Sequence, residues 1–130
     1  MLAVDSHAGR LRLGSLAGVP VAMLRGRAHA YEGHPMADVV RPVRTLARLG
    51  CKAVVLTNAA GSLRAEVGPG RLMMITDHIN WSGVNPLTGP NLDPLGARFI
   101  DMTTAYDPGL RDHLAAAAGQ AGVDLAEGVY

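Results

Sequence analysis

At 130 residues the chain fills the usual length of one domain and could bury a core of its own. Hydrophobic residues make up 48% and charged residues 18%, far from the composition of a disordered chain, and a formal charge of +1 excludes a strongly basic field for nucleic acid or a membrane surface. The single cysteine, Cys51, excludes an internal disulfide framework and every multi-cysteine metal pattern, which fits a reducing, cytoplasmic setting.

In chain order, "MLAVDSHAGRLRLG" has no apolar h-region behind a basic start, and no apolar run approaches a membrane span, so a soluble, untargeted protein is expected. Residues 10–16, "RLRLGSL", alternate apolar and polar; "AGVP" then leads into "VAMLRGR", the pattern of two strands joined by a short turn. "HPMADVVRPVRTLARLG" places Met36, Val39, Val40, Val43, Leu46 and Leu49 on one helical face, with Pro42 marking a kink or a later start and Gly50 the end. "CKAVVLT" reads as a strand buried in a parallel sheet, and "GRLMMIT" as another. Residues 77–99 form a long loop rich in Pro, Gly and Asn. Asp107 followed by Pro108 starts a helix that runs to Gly119 or Gly122, and "GVY" begins a further strand. The expected class is α/β, a partial central mixed sheet with flanking helices, in one domain over residues 1–130. Because a strand pair opening such a sheet normally has central strands beside it, both ends are expected to be cut.

Chemistry concentrates in "RGRAHAYEGH", residues 25–34. In an extended segment Arg27, His29 and Tyr31 project from one side while Ala28 and Ala30 face the other. Such a face suits an anion carrying hydroxyls: arginine presents a planar fork of donors, histidine can donate a further hydrogen bond without fixed charge, and Glu32 could orient the imidazole. A solvated edge strand gives the same spacing. A metal is not expected, because His29 and His34 lie five apart and share neither a helical nor a strand face. In "VVLTNAAGSL" the small residues Ala59, Ala60 and Gly61 follow a predicted strand, where an oxyanion could approach backbone N–H groups; a plain turn is the alternative, and neither a Walker loop nor G-x-G-x-x-G is present. Taken alone, His7 reads as a loop residue and Phe99, the only phenylalanine, as core.

In combination, "GRAHAYEGH", "VVLTNAAGSL", "DHINWSGVNPLTGPN" and "RFIDMTTAYDPGLR" resemble the purine nucleoside phosphorylases of the trimeric class, in that family's order and spacing. The resemblance runs from "SHAG" to "AEGVY". It implies reversible phosphorolysis of purine ribo- and deoxyribonucleosides to the free base and (deoxy)ribose 1-phosphate, with inorganic phosphate as co-substrate, neither metal nor organic cofactor, and a homotrimeric assembly. By position it implies that His7, Arg27, Ala28, His29 and Ala59 bind phosphate. Tyr31, Asn58 and Phe99 would serve the nucleoside: Tyr31 at the sugar and phosphate, Asn58 shaping the loop into Ala59, and Phe99 reaching a neighbouring subunit's ligand. His29 and Glu32 would be the catalytic pair, Glu32 holding His29.

The sequence also departs from that family. Members begin with a further Gly-Ser-Gly-type phosphate loop and continue past "EGVY" into a glutamate-bearing segment and an asparagine that recognise the purine. The second phosphate-loop serine likewise falls outside these residues, and Ser6 replaces the usual glycine before His7. Two alternatives therefore stand beside the enzyme: an inactive fragment that binds phosphate or joins other subunits, and a methylthioadenosine-type phosphorylase, against which "GRAHAYEGH" speaks.

Overall fold

The computed structural model describes residues 9–130. Six regular elements follow one another: strands β1 (Arg10–Leu16) and β2 (Val19–Arg25), helix α1 (Met36–Arg48), strand β3 (Leu72–Asp77), helix α2 (Pro108–Gln120) and strand β4 (Leu125–Val129). The α/β class holds, with parallel and antiparallel pairing both present. The strands form two two-stranded sheets, β1 with β2 and β3 with β4. The chain divides into two compact units: one runs through Leu56 and takes in Val84–Thr88, and the other comprises Thr57–Gly83 and Gly89–Tyr130.

In the first unit β1 and β2 pair antiparallel from Arg10↔Arg25 to Leu16↔Val19. The two-residue loop between them has positive φ at both positions, Ala17 at 49° and Gly18 at 82°, the left-handed geometry whose twist matches that of the flanking strands. Leu11 opposes Leu24 and Leu13 opposes Ala22, so one hairpin face is apolar. Helix α1 begins at Pro35, whose carbonyl accepts from the N–H groups of Asp38 (2.9 Å) and Val39 (3.2 Å). It continues through Pro42, so the later start is not seen. The helix ends as Gly50 enters the left-handed region at φ 91°: Gly50 N–H donates to Ala47 O (3.1 Å) and Cys51 N–H to Leu46 O (3.1 Å), satisfying carbonyls that the helix would leave unpaired. Leu46, at 8% exposure, is the buried side chain among the described residues of this unit.

The second unit is a β-α-β crossover. β3 and β4 run parallel from Leu72↔Leu125, with a register shift between Ile75 and Asp77. Parallel neighbours need a connection long enough to return the chain to the same end, and α2 lies within it. Asp107 caps α2, its Oδ1 accepting from Leu110 N–H at 2.8 Å, with Pro108 at the first helical position as expected. Of the two expected stops it is Gly122, at φ 65°, that ends the helix, with Val123 N–H returning to Ala118 O (2.9 Å). Met74 and Val67 are the buried side chains here, at 6% and 7% exposure. Arg64 Nη1 donates to Glu127 O at 2.8 Å, and Arg71 pairs with Asp124, tying the approach to β3 onto β4 and its preceding turn.

One expected strand is not formed. Residues 51–57, "CKAVVLT", pair with no other strand among the described residues, and Val54, Val55 and Leu56 are 49%, 83% and 60% exposed. The run has the residue types of a buried parallel strand, but a strand is defined by a neighbouring backbone, and no described strand pairs with it. β4 also begins three residues earlier than "GVY" suggested, at Leu125.

Candidate functional site

The site residues that the sequence singles out fall in both units. His7 lies outside the described residues. In the first unit β2 ends at Arg25, and the chain passes through Arg27 and Ala28 without regular structure before a single 3-10 turn, Ala30–Glu32. The i, i+2, i+4 strand face expected of Arg27, His29 and Tyr31 is therefore not formed, because Tyr31 already sits in the turn. A different geometry brings two of them together. The His29 and Tyr31 rings stack with centroids 4.7 Å apart and planes 17° from parallel.

Glu32 folds back onto His29 at two points. Its Oε2 accepts from the His29 backbone N–H at 2.8 Å and lies 3.0 Å from the ring Nδ1. In return the Glu32 N–H donates to His29 O (3.1 Å), and Gly33, at φ 87°, closes the turn onto Ala30 O (3.0 Å). His29 is extended at φ −122°, ψ 148°, so its carbonyl and N–H both face the turn that follows. The His29 and Glu32 side chains are 23% and 15% exposed, whereas Tyr31 is 76% exposed. The hydrogen bond from the His29 side chain, then that from its backbone, hold the Glu32 carboxyl below the ordinary value of 4.5.

That arrangement fixes how His29 can act. An ionised carboxylate only accepts, so the Nδ1 facing Glu32 carries a proton. The remaining Nε2 then accepts when the ring is neutral and donates only when the ring is an imidazolium. The sequence-based idea that His29 donates to an anion without carrying charge is thus corrected. A neutral ring held this way can accept a hydrogen bond from a hydroxyl, and a charged ring can give one to an unprotonated oxygen.

In the second unit Asn58 and Ala59 lie in an exposed stretch without regular structure. Asn58 Nδ2 donates to Ala59 O at 3.3 Å, and just beyond, Ser62 Oγ accepts from Arg64 N–H (3.1 Å) and donates to Arg64 O (3.0 Å). Phe99 is 90% exposed, which is not the core position its type alone suggested. Two residues on, Asp101 accepts from both the hydroxyl and the N–H of Thr103, at 2.5 and 2.8 Å, and these bonds hold its carboxyl below its ordinary value.

Sequence reasoning passed over a polar group at the carboxyl ends of β3 and β4. The Tyr106 hydroxyl lies 3.1 Å from His78 Nδ1, the two rings meet edge to face at 5.7 Å, and Tyr130 N–H donates to Asp77 O at 2.9 Å. Burial first, then the negative charge of Asp77, raises the Tyr106 phenol above 10.0. The available signal was His78 directly following a strand, the end at which α/β folds present polar groups. Among the described residues no group of three or more His, Cys, Asp or Glu is placed to hold a metal ion, and no helix is long and apolar enough to cross a membrane.

Comparison with known proteins defines the class. The family model described as "Phosphorylase superfamily" matches residues 2–130. The chain belongs to this superfamily. It is 48% identical over 127 residues to purine nucleoside phosphorylase 1 of Bacillus subtilis (strain 168), covering 98% of this chain and 47% of that protein. The purine nucleoside phosphorylase of Bos taurus is 45% identical over 132 residues, covering 98% and 46%. Among solved structures, the Schistosoma mansoni purine nucleoside phosphorylase in complex with inosine matches with a TM-score of 0.92 and 36% identity, over 98% of this chain and 47% of that one. The schistosoma purine nucleoside phosphorylase in complex with hypoxanthine gives 0.91 and 37%, over 97% and 47%. The chain spans about half the length of the relatives it matches.

Proposed function

We propose that these residues supply the phosphate side of a purine nucleoside phosphorylase. The reaction joins a phosphate oxygen to C1′ of the sugar as the C1′–N9 bond breaks; the bonding pair leaves on the purine, which takes up a proton, and the products are the free base and (deoxy)ribose 1-phosphate. The sugar gains positive character as the bond stretches, so an oriented anion beside it supplies proximity and electrostatic stabilisation together. Arg27 and His29 grip phosphate, with His7 and the backbone N–H groups at Ala28 and Ala59 completing its cradle. Tyr31 and Asn58 meet the nucleoside, and Phe99 covers a neighbouring subunit's ligand in a homotrimer. No metal or organic cofactor takes part, and the protein works in the cytoplasm.

The observation that carries this reading is the two-point hold of Glu32 on His29, two residues after Arg27, in a chain whose relatives bear the name purine nucleoside phosphorylase. Solved relatives with inosine and with hypoxanthine, a nucleoside and its base, support the substrate class. Phosphate-dependent release of hypoxanthine from inosine is the test on a polypeptide that includes these 130 residues and spans the relatives' full length. Arg27→Ala should weaken phosphate binding strongly there, and unchanged phosphate dependence would remove the assigned role. A second reading is that these 130 residues by themselves bind phosphate without turnover. Undetectable hypoxanthine release with retained phosphate binding is its expected signature.

A further inference from the structure

The net charge of +1 conceals a division between the two units. Among the described residues the first unit holds eight Arg and Lys against two carboxylates, a net of +6; the second holds four against eight, a net of −4. Both carboxylates of the first unit are engaged elsewhere, Glu32 with His29 and Asp38 with Arg41. The hairpin arginines have no ion-pair partner among the described residues.

Their arrangement is set by the strand register. Arg10 and Arg25 are direct cross-strand partners, so their side chains leave the same face of the hairpin, and Arg12, two residues from Arg10, shares that face. Like charges placed directly opposite destabilise a strand pair, and here no carboxylate among the described residues relieves them. β1 is exposed along its whole length. Arg25 is also the last residue of β2, and Arg27 follows it by two residues, at most about 7 Å away between Cα atoms. That separation is inside the Debye length of roughly 8 to 10 Å at ordinary salt, so charge on the hairpin end is felt at Arg27.

We propose that Arg10, Arg12 and Arg25 form a cationic approach that draws the phosphate dianion to Arg27 and His29, raising its association rate and low-salt affinity without touching the bound ion. The inference rests on the phosphate-site reading above. Long-range attraction depends on charge and not on side-chain shape, whereas direct gripping by a guanidinium depends on both. This difference makes the proposal testable.

The experiment titrates inorganic phosphate into the polypeptide that includes these 130 residues and spans the relatives' full length, by 31P NMR or calorimetry, across a range of sodium chloride concentrations. The triple variant Arg10→Gln, Arg12→Gln, Arg25→Gln should bind roughly tenfold more weakly at low salt, from three unit charges acting on a dianion at about 10 Å, and should converge on the parent as salt screens them. The triple Lys variant, which keeps the charge, should retain the parent's affinity and salt slope and controls for damage to the hairpin. Arg27→Ala should lose binding at every salt concentration. If the Gln triple keeps the parent's affinity and salt slope while Arg27→Ala loses binding, the approach is overturned and the phosphate site stands. If the Lys triple falls with the Gln triple, the arginines act by contact or by fold and the approach is overturned. If the parent binds no phosphate, or Arg27→Ala binds as the parent does, the phosphate site falls and the approach with it.

Discussion

Residues 25–34 and residues 51–62 both read as ligand-binding segments at the end of a strand, yet the first is closed into a turn by several bonds on one residue, whereas the strand expected in the second is not formed among the described residues. The turn at His29 is made by groups within four residues of one another: Glu32 on the His29 N–H and ring, Gly33 on Ala30, Tyr31 stacked on His29. The run leading to Ala59 has as strong an apolar signal, but its order depends on backbone partners that lie far away in sequence. Local chemistry is realised by the local chain, and sheet chemistry waits for neighbours.

Amide hydrogen exchange should show the largest contrast between the two kinds of segment. Amides of Val54, Val55 and Leu56 should exchange orders of magnitude faster than those inside the β3–β4 ladder or the middle of α1, because they pair with no strand among the described residues. Protection at Val54 to Leu56 equal to that of β3 would break the distinction. Next in size, Leu46→Ala should destabilise the first unit by about 2 to 5 kcal/mol in denaturant titrations, since Leu46 is its buried side chain. A loss below about 0.5 kcal/mol would mean that α1 packs against nothing that matters. Asp107→Ala removes the cap of α2 and should cost about 1 kcal/mol, with the loss confined to the second unit.

The smallest effect is the pH dependence of the His29 turn. Glu32 has a folded value below its ordinary 4.5, so its contribution is present above about pH 4.5 and disappears as pH falls through the lowered folded value. The His29 N–H should exchange faster below that range, and Glu32→Gln should reproduce part of the change at neutral pH. A His29 amide indifferent to both would disprove the two-point hold.

The hairpin, both helices, the Asp107 cap and β3 were legible because their signals are local: alternation, helical spacing, and Asp-Pro at a helix start. Gly50 and Gly122 marked helix ends because only glycine enters the left-handed region without strain. The strand at 51–57 was misread because β-branched, apolar composition reports that a segment suits a sheet, not that a partner is present. The face of Arg27, His29 and Tyr31 was misread for the opposite reason, as a local turn at Ala30–Glu32 overrode the strand period. Glu32 as the partner of His29 was legible because a carboxylate close by in sequence can accept from an imidazole N–H. The contact of Glu32 with Nδ1, from which the proton position is argued, and the charge division between units became legible only from the structure.

The most direct measurement of the central claim is the 15N spectrum of the His29 imidazole in this chain, followed as inorganic phosphate is added. With Glu32 accepting from Nδ1, the neutral ring should carry its proton on Nδ1, and phosphate should shift the Nε2 resonance while Nδ1 stays anchored. A neutral ring protonated on Nε2, or an Nε2 resonance that ignores phosphate, would contradict the account.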